Sequence, residues 1–193
     1  LEFERSIGKD RDETVRVLES LQIRHMIRSN HTDRLFNTVM MRAPGLLGLP
    51  ELNIENFLKL DQIGTTYHKN PYQLAPGWLL MHGDEGSINQ TGGMTALGLA
   101  KRAGMSVVCG HTHRMGLVHH SQSYAGSAGR TVWGLEAGNL MNYKQAKYIK
   151  GGLINWHQGF GILYVDGNTV TPHLVPLRKE DRKSTRLNSS HIP

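Results

Sequence analysis

Apolar positions fall at helical spacing and at strand spacing in turn along the first part of the chain. Asp12–Leu21 sets Val15, Leu18 and Leu21 on one helical face, with acidic residues at its start. The charged stretch Leu1–Asp12 before that face predicts a frayed end. Gln22–Arg28 alternates, with Ile23, His25 and Ile27 to one side, and predicts a short strand that Ser29-Asn30-His31 breaks. Arg34–Met41 predicts a helix that stops before Pro44-Gly45, and Pro50 opens another through about Leu60 from the favoured first-turn position. Tyr67–Leu74 is predicted extended. Pro76-Gly77 then turns the chain into the apolar strand Trp78–Met81, which ends at His82-Gly83-Asp84.

Gly86–Gly93 is a polar loop, and Met94–Ala103 is a predicted helix closed by Gly104. Ser106–Cys109 is a short apolar strand running into Gly110-His111-Thr112-His113. Beyond it, Thr131–Ala137, Gly159–Val165 and Thr169–Leu177 are strand-like, with Asp166-Gly167-Asn168 as a hairpin turn. Helices and strands alternate early and strands dominate late. That order predicts an α/β sandwich with two sheets rather than a uniform doubly wound sheet.

Composition narrows the class without naming a function. With 38% hydrophobic and 20% charged residues in 193, the chain can bury a core, which excludes a collagenous, wholly disordered or coiled-coil protein. No apolar run approaches the roughly 20 residues that span a bilayer, so no membrane partner is expected. A single cysteine, Cys109, excludes an internal disulfide and any multi-cysteine zinc site, and makes a reducing, cytoplasmic compartment the expectation. The net charge is +6, of which +2 lies in Lys179–Pro193. Residues 179–193 are polar and aperiodic and resemble translated adapter or vector sequence, so they are set aside as a disordered tail. The rest has no arginine-rich run or aromatic-interleaved basic patch, and nothing in it supports a nucleic-acid partner.

The eleven histidines change the picture more. Asn30-His31, His82-Gly83-Asp84 and His111-Thr112-His113 each follow a predicted strand directly. Loops at the carboxyl ends of strands converge on the ligand crevice of α/β proteins. An H-x-H spacing can aim both imidazoles to one side of an extended segment, and Gly110 permits a close backbone approach. Such a cluster suits a borderline divalent metal that accepts nitrogen and oxygen donors: manganese, iron or zinc. A hydrogen-bonded turn histidine is the rival reading for His82, and a turn former is the rival for Asn30.

In order, N-H, H-G and G-H-T-H, each at a strand end, resemble the calcineurin-like metallophosphoesterase family over roughly Asp12–Leu177. The resemblance implies a four-layer α/β/β/α sandwich over residues 1–178, incomplete at its N-terminal side. It also implies two metal ions bridged by an aspartate and a water or hydroxide. Asn30, His82 and His111 would ligate one metal and His113 the other. His31 would contact the phosphate and protonate the leaving oxygen as general acid. The implied reaction is metal-dependent hydrolysis of a phosphate mono- or diester. A non-catalytic binding module on the same scaffold and a metal-dependent nuclease are the alternatives.

Two departures shape that expectation. The family's upstream D-x-H and GDxxD motifs are absent from the sequence, which leaves ligands for at most one metal and predicts impaired catalysis by this chain. The family's GNHD or GNHE reads Ser29-Asn30-His31-Thr32-Asp33 here, with serine for glycine and threonine for the acid after histidine. Arg34 and Arg114 flank the clusters and could hold phosphate oxygens, although a surface salt bridge is the commoner role. The pair His119-His120 reads as an exposed loop, and Cys109 as a buried small hydrophobe.

Overall fold

The first helix starts well inside the stretch predicted to fray. In the computed structural model, which describes residues 7–127, 129–143 and 154–177, α1 spans Ile7–Ser20. Lys, Asp, Arg and Glu are tolerated in a helix when it is solvated, and Thr14 Oγ1 donates back to the Asp10 carbonyl at 2.8 Å. Gln22 ends the helix in the left-handed region at φ 50°. The tail predicted at 179–193 lies outside the described residues.

The protein is mixed α/β and divides into two units, residues 1–72 and 73–193. In the first unit, β1 (His25–Ile27) and β2 (Thr66–His68) run parallel, in the register His25↔Thr66 and Ile27↔His68. Between them lie α2 (Asp33–Arg42), two 3-10 turns (Pro44–Leu46 and Pro50–Leu52) and the single-turn α3 (Ile54–Phe57). The continuous helix predicted from Pro50 to Leu60 is therefore broken. Asn53 takes an extended conformation and its side chain accepts from the Glu55 N–H, which starts a fresh turn. Lys59 then reverses the chain at φ 52° and delivers Leu60 to the interior, 1% exposed.

The second unit holds a five-stranded sheet in the order β3-β4-β5-β7-β6, with β3 at Tyr72–Ala75, β4 at Trp78–Leu80 and β5 at Ser106–Cys109. The stretch predicted extended over Tyr67–Leu74 is thus two strands, interrupted around Asn70-Pro71. β4, β5 and β7 (Thr131–Ala137) are mutually parallel neighbours, so their carboxyl ends share one edge. β6 (Met115–Ser121) returns antiparallel to β7, pairing His119 with Trp133. His119-His120 is accordingly strand, not loop, and the His119 ring lies 4.8 Å from that of Trp133.

Side-chain alternation sorts this sheet into two apolar faces. Val107, Cys109 and Val132 pack with Ala96, Leu99 and Ala100 of α4 (Met94–Ala103). Trp78, Val108 and Leu135 face Leu163, Val170 and Leu174 of the hairpin formed by β8 (Gly159–Asp166) and β9 (Thr169–Pro176). α4 sits close because β7 offers Gly134 beneath it. A Cβ there would lie 2.2 Å from the Leu97 nitrogen. Among the described residues, no helix is long and apolar enough to cross a membrane.

Candidate metal and phosphate site

Backbone bonding continues past the ends of β4 and β5 and fixes the loops that follow. Met81 N–H donates to Val108 O at 3.0 Å, and the His82 carbonyl accepts from Gly110 N at 3.2 Å and His111 N at 3.0 Å. The HG turn is thereby tied to the GHTH turn. Gly83 is required at this point. Its φ is +113°, and a Cβ would stand 3.0 Å from His111 Cβ and 3.2 Å from Cys109 Sγ. The Glu85 carboxylate closes the turn, accepting from Gly83 N at 2.7 Å and His82 N at 3.3 Å.

The result is a facing pair of imidazoles. His82 Nε2 and His111 Nδ1 are 2.9 Å apart, with ring centroids at 4.7 Å and planes inclined by 64°. Both rings are half-buried. Two nitrogens that close either share one proton or point both lone pairs at one cation. Among the described residues, no group of three or more His, Cys, Asp or Glu side chains gathers to hold a metal.

Thr112 between the two loop histidines is buried, and its hydroxyl donates to Glu136 Oε2. Glu136 is itself fully buried on β7. Its Oε1 accepts from Thr95 N at 2.8 Å and Ala96 N at 3.3 Å, in the first turn of α4. A helix N-terminus is a favourable place for a buried negative charge. One carboxylate therefore joins strand, helix and GHTH turn. Sequence reasoning missed its partners; the available signal was an acid inside an otherwise apolar strand, which must find partners when buried.

His113 adopts φ +59°, and its ring stands edge-on to Trp156 with centroids 4.6 Å apart. Its carbonyl accepts from His157 N at 3.0 Å and Asn139 Nδ2 at 3.1 Å, so the turn after β7 holds the left-handed backbone in place. Non-glycine residues in this region cost about 1–3 kcal/mol and cluster at functional sites. Arg114 makes no ion pair with an acid among the described residues. Its Nη2 donates to Gln90 Oε1 at 2.7 Å, while its buried Nε has no acceptor among the described residues. Cys109 is 1% exposed, and burial, followed by the charges of Glu136 and Glu85, pushes its thiol pKa far up.

Asn30 and His31 belong to the first unit, in the turn from β1 to α2; Asn30 is half-buried and His31 exposed. The two departures in this motif serve each other. Ser29 N donates to Thr32 Oγ1 at 2.8 Å, and Thr32 N donates to Ser29 Oγ at 3.1 Å. The Thr32 hydroxyl is also 3.0 Å from the Tyr67 hydroxyl, whose pKa burial raises. Asp33 pairs with Arg28, Nε to Oδ2 at 2.8 Å. Beside this turn lies a cavity of about 530 Å³ lined by Arg28, Thr32, Phe36, Leu49, Ile54 and Tyr67 among others.

The chain is 42% identical over 151 residues to the Gene 54 protein of Mycobacterium phage D29. It is 39% identical over 151 residues to the Gene 54 protein of Mycobacterium phage L5. Each match takes in 77% of this chain and 59% of the relative, so the chain spans about three fifths of the length of these curated relatives. No protein-family profile matches the sequence. No solved structure matches it.

Proposed function

We propose that the chain is the larger part of a calcineurin-like metallophosphoesterase domain, a four-layer α/β/β/α sandwich that hydrolyses a phosphate mono- or diester. The observation that carries this reading is the 2.9 Å approach of His82 Nε2 to His111 Nδ1 at the shared carboxyl edge of β4 and β5. That donor pair fits a divalent cation of borderline character, manganese, iron or zinc, because both nitrogens can serve adjacent positions of one ion. When bound, the cation supplies positive charge for a phosphoryl group and lowers the pKa of a water.

The chain's own residues do the rest. His82 and His111 would hold one cation, and the resemblance gives the Asn30 side-chain oxygen a ligand's role. The resemblance gives His113 to a second metal, for which this chain holds too few ligands. The resemblance gives His31, exposed in the turn from β1 to α2, the role of proton donor to a leaving oxygen. Thr112 and Glu136 keep the GHTH turn from drifting, so that two imidazoles do not have to be ordered at the moment of binding. The Gly83 backbone lets the two loops meet without a side chain between them.

The test is hydrolysis of bis-p-nitrophenyl phosphate and p-nitrophenyl phosphate by the full-length protein, with and without manganese. Manganese-dependent turnover that His111→Ala abolishes is expected. A full-length protein that binds manganese and turns over neither ester contradicts the reading and favours a non-catalytic module.

A further inference from the structure

We propose that His25 and His68 form a separate metal site, a two-imidazole clip for zinc or a similar transition cation, on one face of the β1–β2 pair. The parallel register pairs His25 with Thr66 and Ile27 with His68. Side chains two residues apart on a strand share a face, so the two histidines stand diagonally across the pair on the same side. His25 Nδ1 lies 3.0 Å from His68 Nε2. Two nitrogens each about 2.1 Å from one cation lie roughly 3.0 Å apart at a right angle and about 3.4 Å apart at the tetrahedral angle. The observed spacing sits at the near end of that range.

Tyr72 holds both rings. Its ring stacks on His25 at 4.5 Å and 28°, and on His68 at 4.0 Å and 24°. Its hydroxyl oxygen is 3.3 Å from His25 Nε2. With the proton on Nε2, that nitrogen donates to the tyrosine oxygen and Nδ1 keeps its lone pair for the cation. A partner behind the ring commonly fixes which nitrogen of a ligating histidine is free. In that state His68 Nε2–H donates to His25 Nδ1, so cation binding needs only a change of tautomer at His68, with no net proton released.

The donor set selects the cation. Among the described residues it contains imidazole nitrogens and no carboxylate, which suits zinc, nickel or copper(II) and gives calcium and magnesium little to bind. Water fills the remaining positions. None of these three residues takes part in the phosphoester chemistry proposed above, and they lie in the other unit from the His82–His111 pair. The clip cross-links β1 to β2, and β1 runs directly into Ser29-Asn30-His31. A bound cation would brace that turn.

The test is calorimetric titration of zinc into the chain carrying His82→Ala and His111→Ala, which silences the other pair. One equivalent of zinc is expected to bind, with an accompanying rise in melting temperature. Adding His25→Ala or His68→Ala should weaken that binding at least about tenfold, and Tyr72→Phe should weaken it in the same direction while keeping the stack. His119→Ala should leave it unchanged. If the silenced background fails to fold, the same replacements in the wild-type chain should each remove one equivalent of zinc. Zinc binding unaltered by both His25→Ala and His68→Ala, or no binding at all, overturns the clip.

Discussion

The hydroxyl of Thr112 donates to the carboxylate of Glu136, and both side chains are buried. Across that bond a residue of the histidine loop is fastened to a strand whose carboxylate also caps α4. Removing one partner strands the other away from water. Glu136→Gln and Thr112→Val should each lower stability by about 1–3 kcal/mol in urea denaturation. The double variant should fall short of additivity by more than about 0.5 kcal/mol, because the two residues share one bond. Strict additivity would show that the contact is not made.

Gly83 concerns the site more directly. Gly83→Ala forces a Cβ into a φ of +113° and against His111 Cβ. A cost of about 1–3 kcal/mol in stability is expected. Manganese affinity should fall by more than that loss of folded protein accounts for, since the added carbon separates His82 from His111. Equal manganese affinity in the folded fraction of both proteins would contradict the placement of the pair.

Cys109 offers a test by pH. Its thiol pKa is raised in the folded state, chiefly by burial. The thiolate is the reactive form, so iodoacetamide at pH 8.5 should label the native chain far more slowly than the chain in guanidinium. The unfolded thiol loses its proton first as pH rises. The unfolded state then binds fewer protons than the native one, and this group's contribution to stability declines above the ordinary thiol pKa. Rapid labelling under native conditions would show that the β5 edge is open.

Much of this fold can be read locally. Met94–Ala103 is an apolar-faced helix stopped by Gly104 in the left-handed conformation, and Ser106–Cys109 and Thr131–Ala137 are apolar runs of strand length. β6 escapes such a reading because Gly116 and the His119-His120 pair interrupt its alternation, and only its pairing with β7 makes it a strand. The break within Pro50–Leu60 depends on the backbone choices of Asn53 and Lys59, which helix propensity does not record. In the site, the strand-end positions of His82 and His111 were legible because consecutive parallel strands put their loops together. Glu136 and Glu85 were not, since their partners are backbone N–H groups and a threonine supplied by other elements or by the turn itself.

The first-unit turn gives a prediction independent of metal. Thr32 bonds Ser29 through both main-chain groups and meets the Tyr67 hydroxyl. Thr32→Val keeps the shape and removes the hydroxyl, and should cost about 1–3 kcal/mol. Amide exchange should quicken at Ser29 and Thr32 ahead of α2 itself. Unchanged protection there would mean that the turn is held by other contacts.

The pairing of His82 with His111 as donors to one cation can be tested most directly by imidazole NMR of the full-length protein during titration with manganese. Paramagnetic broadening is expected to remove the ring signals of His82 and His111 at substoichiometric manganese, while those of His119 and His173 persist. Ring signals of His82 and His111 that survive a full equivalent, or that fade no faster than those of His119 and His173, would contradict it.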